Sequence, residues 1–259
     1  MSDEAFATLA WRGRPLRLEY RWVGDAASAQ PPVVFLHEGL GSIAMWKDFP
    51  ARFCTEHGFK GLMFSRYGYG RSTPKPADED WAPDFMHLQA FEVLPALFEA
   101  LGIARPWLFG HSDGASIALL HAATYPVSGV VAMAPHVFVE DISIEGIETA
   151  RDAYRNQDLR RRMSRHHRDA DVTFWGWNDV WLDPEFRSWN IVATLGTIRC
   201  PMLLVQGEDD QYGSLAQLDA IERVVPGHVR RAVLACGHSP HLEIPEQTLQ
   251  AVAGFVDTL

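Results

Sequence analysis

The chain has 259 residues, of which 47% are hydrophobic and 22% charged, and its formal net charge is −10 at pH 7. This length and composition suit one large domain with a sizeable core. The net negative charge argues against a protein that binds nucleic acid or an anionic membrane surface, because such proteins usually carry basic patches. We therefore expect a small-molecule partner.

The predicted elements begin with a hairpin and continue as an alternation of strands and helices. Two extended runs surround Gly13-Arg14-Pro15, and residues of these types between two such runs are typical of a hairpin turn. Later apolar runs mostly lack strict alternation, as is typical of strands covered on both faces. We expect strands within residues 31–39, 60–68, 105–112, 128–135, 200–210 and 228–239, and helices over 84–101, 113–125, 214–224 and 245–258. This order predicts an α/β fold with a mostly parallel sheet.

One interval breaks the alternation. Residues 136–198 contain no run of strand type but do contain charged helix-like stretches and the aromatic cluster FWGWNDVW. We expect this interval to form a helical cap over the carboxyl ends of the strands, where open α/β sheets bind ligands. The core domain would then comprise residues 1–135 and 199–259.

No leader or membrane anchor is expected. The start, MSDEAFATLA, has neither the basic nor the apolar region of a signal peptide, and no stretch approaches the roughly 20 apolar residues of a membrane span. The three cysteines are widely spaced and lack CxxC spacing, which argues against disulfides or a zinc site. We therefore expect a cytoplasmic protein with buried thiols, whose oligomeric state the sequence leaves open.

The stretch LFGHSDGAS contains a candidate nucleophile, Ser112, framed by Gly110 and Gly114. A strand precedes it and a helix follows, so the serine would stand on a sharp turn that has room only for glycine on either side. Alone, G-x-S-x-G is a weak signal, because glycine and serine also form ordinary turns. A serine hydroxyl needs an imidazole base and a carboxylate that orients it.

The required partners follow in the order serine, carboxylate, histidine. His238 follows Gly237 after a later strand, and Asp210 lies in the segment QGEDD with Asp209 as its near rival. Together with HEGLGS, SRYGYGRS, GHSDG and CGHSPHLEIPE, this order resembles the α/β-hydrolase superfamily over nearly the whole chain. The resemblance implies an eight-stranded, mostly parallel sheet and a Ser112–His238–Asp210 triad. His241 is interpreted as a histidine at the pocket rim or on the surface.

The resemblance also implies an oxyanion hole formed by the backbone N–H groups of Gly39 and Asp113. Glu38 replaces the first glycine of the family's H-G-x-x-G pattern. Its carboxylate either folds away to pair with Arg66 or Arg71, or enters the pocket and binds a polar or cationic substrate group. His37 is expected to hold this loop in place.

The substrate-binding wall is predicted from position. His136 and Phe138 follow a strand at its carboxyl end, and the cap supplies Trp175, Trp177 and Trp181. These tryptophans either line an apolar pocket or pack the cap onto its base, as does Trp189. The arginine-rich stretch 151–168 is interpreted as a solvated face. No cofactor motif and no metal-ligand spacing is present, so none is expected.

The leading hypothesis is a metal-free serine hydrolase that cleaves a small carboxylic ester or thioester through an acyl-enzyme on Ser112. The first alternative keeps the triad and cleaves a carbon–carbon or amide bond, as C–C hydrolases of aromatic degradation and iminopeptidases do. The second alternative is a ligand-binding receptor of the same fold without turnover.

Overall fold

The computed structural model describes residues 5–256 and 258. Residues 1–4, 257 and 259 lie outside the described residues. The first four of these belong to the start in which no leader sequence is expected. The strands are β1 Ala5–Trp11, β2 Arg14–Gly24, β3 Val33–Leu36, β4 Lys60–Phe64, β5 Trp107–His111, β6 Gly129–Met133, β7 Met202–Gly207 and β8 Val229–Leu234. They form one eight-stranded sheet in the order β1-β2-β4-β3-β5-β6-β7-β8.

The pairing of the sheet confirms the predicted α/β class. β1 pairs antiparallel with β2, and β2 pairs antiparallel with β4. The pairs from β4 through β3 and β5 to β8 are all parallel. The opening hairpin turns at Arg12 and Gly13, both with positive φ (47° and 75°), one residue earlier than the predicted Gly-Arg-Pro turn. Two consecutive positive φ angles match the twist of the hairpin strands.

Helices cover both faces of the sheet. They are α1 Phe49–Glu56, α2 Phe85–Leu88, α3 Leu94–Leu101, α4 Asp113–Thr124, α5 Asp141–Asn156, α6 Leu159–Met163, α7 Ala170–Leu182, α8 Ala216–Val224, α9 Pro240–Glu243 and α10 Pro245–Val256. Strand side chains alternate between two cores. Val34 and Leu36 join the core that contains α4, whereas Val33 and Phe35 join the core that contains α1 and α10. Burial on both faces explains why the strand sequences are continuously apolar.

The segment between β6 and β7 is helical, and it lies against the loops that follow the strands. It contains α5, α6, α7 and two short 3-10 segments, Phe186–Ser188 and Val192–Thr197. His167 Nδ1 accepts the Gly70 N–H at 3.0 Å, and its Nε2 donates to the Leu40 carbonyl at 3.0 Å. These bonds attach the inserted helices to two loops of the sheet domain. Within the described part of the chain, no helix has the length and apolar character needed to cross a membrane.

Candidate active site

Ser112 stands at the turn between β5 and α4. Its φ of 54° and ψ of −122° are unusual for a residue with a side chain. This strained geometry is characteristic of a nucleophile elbow. The flanking glycines are required by space, because a Cβ on Gly110 would overlap the Gly114 carbonyl and a Cβ on Gly114 would overlap the Leu36 carbonyl. The turn is therefore possible only with glycine at both positions.

His238 and Asp210 come together from the loops after β8 and β7. His238 Nδ1 lies 2.8 Å from Asp210 Oδ1 and 2.9 Å from Oδ2. Because a carboxylate accepts, the histidine proton lies on Nδ1 and Nε2 is left with its lone pair. Asp210 is 6% exposed, whereas Asp209 is exposed to solvent. The structure thus brings Asp210 to the histidine and leaves Asp209 outside the arrangement.

Two further donors hold the Asp210 carboxylate. The Tyr212 N–H donates to Oδ1 at 2.8 Å, and Gln206 Nε2 donates to Oδ2 at 2.7 Å. Burial raises the pKa of Asp210, but the hydrogen bond and charge of His238, with the Tyr212 N–H, outweigh burial and hold it below the usual value. Gln206 was not predicted as a site residue, because a glutamine inside an apolar strand carries no distinctive sequence pattern.

The histidines around His238 are buried. His111 Nε2 donates to the His238 carbonyl at 2.8 Å. His241 is 3% exposed, and its ring lies 4.8 Å from both Trp46 and His111, so the interpretation of His241 as a rim or surface residue was wrong. Burial lowers the pKa of His241 well below its usual range. It is a core histidine, because the α9 segment folds inward beneath the loop that carries His238.

The two predicted backbone donors lie at the same cavity as Ser112 and His238. Asp113 is the first residue of α4, so its N–H has no acceptor within the helix. The Gly39 N–H donates to no protein acceptor among the described residues. A Cβ on Gly39 would overlap the Trp177 indole, so only glycine fits beneath this ring. Neither N–H has a protein acceptor among the described residues, so both remain candidate oxyanion donors.

Glu38 directs its carboxylate into this region. Oε2 lies 3.8 Å from His111 Nδ1, the side chain is 22% exposed, and the residue lines the cavity. Burial raises its pKa, but the interaction with His111, its own backbone and the charge of Arg66 together outweigh burial and hold the pKa below the usual value. Arg66, one of the two arginines named as possible partners of this carboxylate, donates instead to the backbone carbonyl of Glu38 at 2.8 Å.

The Asp113 carboxylate, in the first turn of α4, is buried at 1% exposure. Arg66 Nη2 lies 3.8 Å from its Oδ2. Burial raises the pKa of Asp113 to about 6, and the Arg66 charge acts in the opposite direction. The negative charge beside this donor is therefore partly balanced by a buried arginine, whereas that of Glu38 is closer to the cavity.

The cavity has a volume of about 320 Å³, and the inserted helices form one of its walls. Of the predicted substrate-binding residues, Glu38, His136, Trp177 and Trp181 line it. Trp175 lies elsewhere, against Tyr154 and Phe174. Phe138 forms a bridge with Asn190 and packs on the core, and Trp189 packs on Phe186.

Several residues at the cavity were not predicted. They are Leu40, Ser143, Ile147, Arg162, Gln211, Tyr212 and Ser239. The interpretation of residues 151–168 as a solvated face was incomplete, since Arg162 of α6 lines the cavity while remaining largely exposed. Three of them, Ser143, Ile147 and Arg162, reach Ser112 only through the fold of the inserted helices. The other four lie next to candidate site residues in loops that follow strands, so the motifs in those loops could have indicated them.

Comparison with known proteins identifies the family of this chain. Residues 33–251 match the model of the alpha/beta hydrolase family. The chain is similar to the human serine hydrolase BPHL, with 28% identity over 206 residues that cover 76% of this chain and 69% of the relative. It is also similar to the bifunctional esterase/perhydrolase DCH of Acinetobacter calcoaceticus, with 26% identity and 72% and 77% coverage.

A solved structure shares the fold over nearly the full length. The thermophilic esterase from Thermogutta terrifontis superposes with a TM-score of 0.74 at 19% sequence identity, covering 99% of each chain. At this identity the likeness concerns the fold alone. The family match covers most of the sheet and all three candidate site loops, and on this evidence the chain belongs to the alpha/beta hydrolase family.

Proposed function

We propose that this hydrolase cleaves a small carboxylic ester or thioester through an acyl-enzyme on Ser112. The observation that carries the proposal is one cavity lined by four groups that acyl transfer requires. These are a strained serine, a histidine whose Nδ1 is held by a buried carboxylate, and the peptides of Gly39 and Asp113, which can supply backbone donors. Each group has a distinct role in a two-step hydrolysis.

In the first step the Ser112 hydroxyl attacks the carbonyl carbon while His238 Nε2 takes its proton. Asp210 keeps the imidazole in the tautomer that has Nε2 free and stabilises the imidazolium that forms. The N–H groups of Gly39 and Asp113 donate to the developing oxyanion. The imidazolium then protonates the departing alkoxide or thiolate, and the bond to the leaving group breaks.

In the second step a water molecule attacks the acyl-enzyme, and His238 again removes a proton. Collapse of the second tetrahedral intermediate returns the proton to Ser112 and releases the carboxylic acid. Residues 136–198 act as a cap in this proposal, since Trp177 and Trp181 close the apolar side of the cavity. A volume of about 320 Å³ favours a small substrate.

The relatives support ester chemistry without deciding it. One curated relative is named as an esterase and perhydrolase, and another, matching 43% of this chain, is named as a proline iminopeptidase. Amide or carbon–carbon bond cleavage with the same residues is therefore the competing reaction. The negative charge of Glu38 at the cavity distinguishes this site from a purely apolar acyl pocket.

A fluorophosphonate probe tests the nucleophile. We expect the wild-type protein to be labelled on Ser112, as located by mass spectrometry of the labelled peptide, and Ser112→Ala to remain unlabelled. Ser116→Ala is the matched control, since Ser116 lies one turn further along α4 and hydrogen-bonds the His136 carbonyl. Labelling of Ser112→Ala, or none of the wild type, would contradict the proposal.

The bond that is cleaved is tested separately. A panel of p-nitrophenyl esters and thioesters of increasing acyl length is compared with anilides and with a vinylogous diketone. We expect turnover of short-chain esters or thioesters and a decline as the acyl group outgrows the cavity. Turnover of the diketone alone would assign the protein to carbon–carbon bond hydrolysis instead.

A further inference from the structure

Arg66 is a buried arginine that lies beneath both backbone donors. It follows β4, is 1% exposed, and its Cζ lies 4.3 Å from the ring centroid of Tyr69. Its Nη2 donates to the Glu38 carbonyl at 2.8 Å and lies 3.8 Å from Asp113 Oδ2. Burying a guanidinium is costly unless its partners compensate, so its contacts indicate what it stabilises.

The contact with Glu38 determines the direction of a neighbouring donor. The Glu38 carbonyl and the Gly39 N–H belong to the same peptide group, which is trans. In a planar trans peptide the C=O and N–H bonds point in opposite directions. An arginine that holds the carbonyl on one side of the loop therefore holds the Gly39 N–H toward the other side, where the cavity lies.

A second donor restricts the same carbonyl. The Arg66 backbone N–H donates to His37 Nε2 at 2.9 Å, so the neutral imidazole carries its proton on Nδ1. His37 Nδ1 then donates to the Glu38 carbonyl at 2.8 Å. Burial and the Arg66 charge lower the pKa of His37 well below its usual range and keep it neutral. The Gly41 N–H also donates to this carbonyl, at 3.1 Å, so three donors converge on it and Arg66 is the cationic one.

We propose that Arg66 is a positioning residue that orients and polarises the Glu38–Gly39 peptide as an oxyanion donor. A cationic donor on the carbonyl strengthens the partial positive charge on the N–H of the same peptide. The same guanidinium balances the Asp113 carboxylate next to the other donor, which would otherwise repel an oxyanion. The inference rests on the proposed function of Ser112, and it assigns to Arg66 a role that involves no contact with the substrate.

The experiment compares Arg66→Gln and Arg66→Lys with the wild type. We expect Arg66→Gln to lower kcat about 10- to 100-fold, less than the roughly 100- to 1,000-fold cost of deleting a donor, with KM changed less than about threefold. A boronic acid that adds to Ser112 and places an oxygen in the hole should lose affinity in parallel with kcat. The carboxylate product, which forms no tetrahedral adduct, should bind about as before. Arg66→Lys should recover part of the loss, because its ammonium restores one charged donor.

Tyr69→Phe is the local control. It preserves the ring under the guanidinium and removes a buried hydroxyl that meets no hydrogen-bond partner at bonding distance within the described structure. We expect kcat and boronate affinity of this variant to stay within about twofold of the wild-type values, because removing the hydroxyl breaks no hydrogen bond. Thermal unfolding of each variant shows whether it folds. If Arg66→Gln does not fold, the test rests on the comparison of Arg66→Lys with the wild type.

A readout independent of activity separates this inference from the proposed function. The chain has 20 glycines, so selective ¹⁵N-glycine labelling gives a simple amide spectrum. The Gly39 amide resonance should shift in the Arg66 variants and stay in place in Tyr69→Phe, whether or not the protein hydrolyses esters.

An unmoved Gly39 resonance in a folded Arg66 variant would overturn the inference. So would a kcat loss that is matched by equal losses in substrate and product binding, since that result indicates a general structural role. If the resonance shifts but fluorophosphonate does not label wild-type Ser112, the proposed function fails while the orienting contact stands.

Discussion

Asp210 is held by three donors, and each restricts its carboxylate from a different direction. His238 approaches from the loop after β8, Gln206 from within β7, and the Tyr212 N–H from the carboxylate's own loop. A carboxylate fixed in this way keeps the imidazole in one tautomer and one orientation. The neighbouring Asp209 has the same chemistry but remains exposed.

The pair of aspartates gives the first prediction. We expect Asp210→Asn to reduce kcat for an ester by about 10²- to 10⁴-fold, because an amide in this place cannot stabilise the imidazolium and favours the wrong tautomer. Asp209→Asn should retain nearly full activity. Steady-state kinetics of both variants on one substrate check this, and a large loss in Asp209→Asn alone would move the role to Asp209.

Glu38 and Asp113 have carboxylates with different surroundings. Arg66 approaches Asp113 directly, whereas Glu38 has a histidine at 3.8 Å and lines the cavity. The charge that a substrate meets on this side is therefore mainly that of Glu38. Arg162 in α6 lines the same cavity with the opposite charge, and its Nε lies 3.6 Å from Oδ1 of Asp158, the residue before α6.

The second prediction concerns substrate charge. Wild-type protein should cleave an ester with a trimethylammonium group, or its neutral tert-butyl analogue, about tenfold or more faster than a carboxylated analogue. The reason is repulsion between the Glu38 carboxylate and a substrate carboxylate several ångströms away at intermediate dielectric. Glu38→Gln should reduce this discrimination. Values of kcat/KM for the three esters measure it, and equal discrimination in both proteins would exclude Glu38 as its origin.

At the scale of elements, α7 separates its tryptophans by helical geometry. A helix advances about 100° per residue, so positions two apart lie on nearly opposite sides and positions four apart on the same side. Trp177 and Trp181 share the face toward Ser112, whereas Trp175 lies on another face with Tyr154 and Phe174. Helical spacing separates Trp175 from the other two, but only the tertiary structure decides which of the two faces meets the cavity.

The third prediction follows from these faces. We expect Trp177→Ala to raise KM for short-chain esters several-fold and to extend the range of acyl lengths accepted, because the side chain forms a wall of the cavity. Trp175→Ala should change the melting temperature but not the acyl-length profile. Kinetics across the ester panel, with thermal unfolding, distinguish the two; identical profiles would show that α7 does not bound the acyl site.

At the scale of the whole molecule, a buried ionisable group links the site to stability. The folded-state pKa of Asp113 is about 6, above the ordinary value of 3.8. Between these values the folded protein retains a proton that the unfolded chain has released, so stability falls as pH rises through this window. Above the folded pKa the contribution is constant.

The fourth prediction is a pH-dependent difference between the wild type and Asp113→Asn. The free energy of unfolding of the wild type minus that of the variant should decrease by up to about 3 kcal/mol from pH 4 to pH 7 and then level off, since each pKa unit corresponds to about 1.4 kcal/mol. Urea unfolding at half-unit steps of pH measures it. A difference that is flat over this range would show that burial does not raise this pKa.

Much of the fold was predictable because its signals are local. Short apolar runs with turn residues at their ends predicted the strands, and the order of strands and helices predicted the mostly parallel sheet. Ser112 was identifiable because the elbow requires glycines at fixed positions around it. The candidate His238 and Asp210 were placed by the turns that follow two later strands, which are again local features.

The sequence by itself therefore determined the α/β class, the position of the nucleophile turn and the candidate residues after each strand. Only the tertiary structure decided which aspartate meets His238, where His241 lies, which tryptophans face the cavity, and that Arg66 binds the Glu38 backbone and not its carboxylate. The physical reason is distance along the chain. Arg66 follows β4 and Asp113 begins α4, and the two charges lie 3.8 Å apart only after the sheet and its helices have packed.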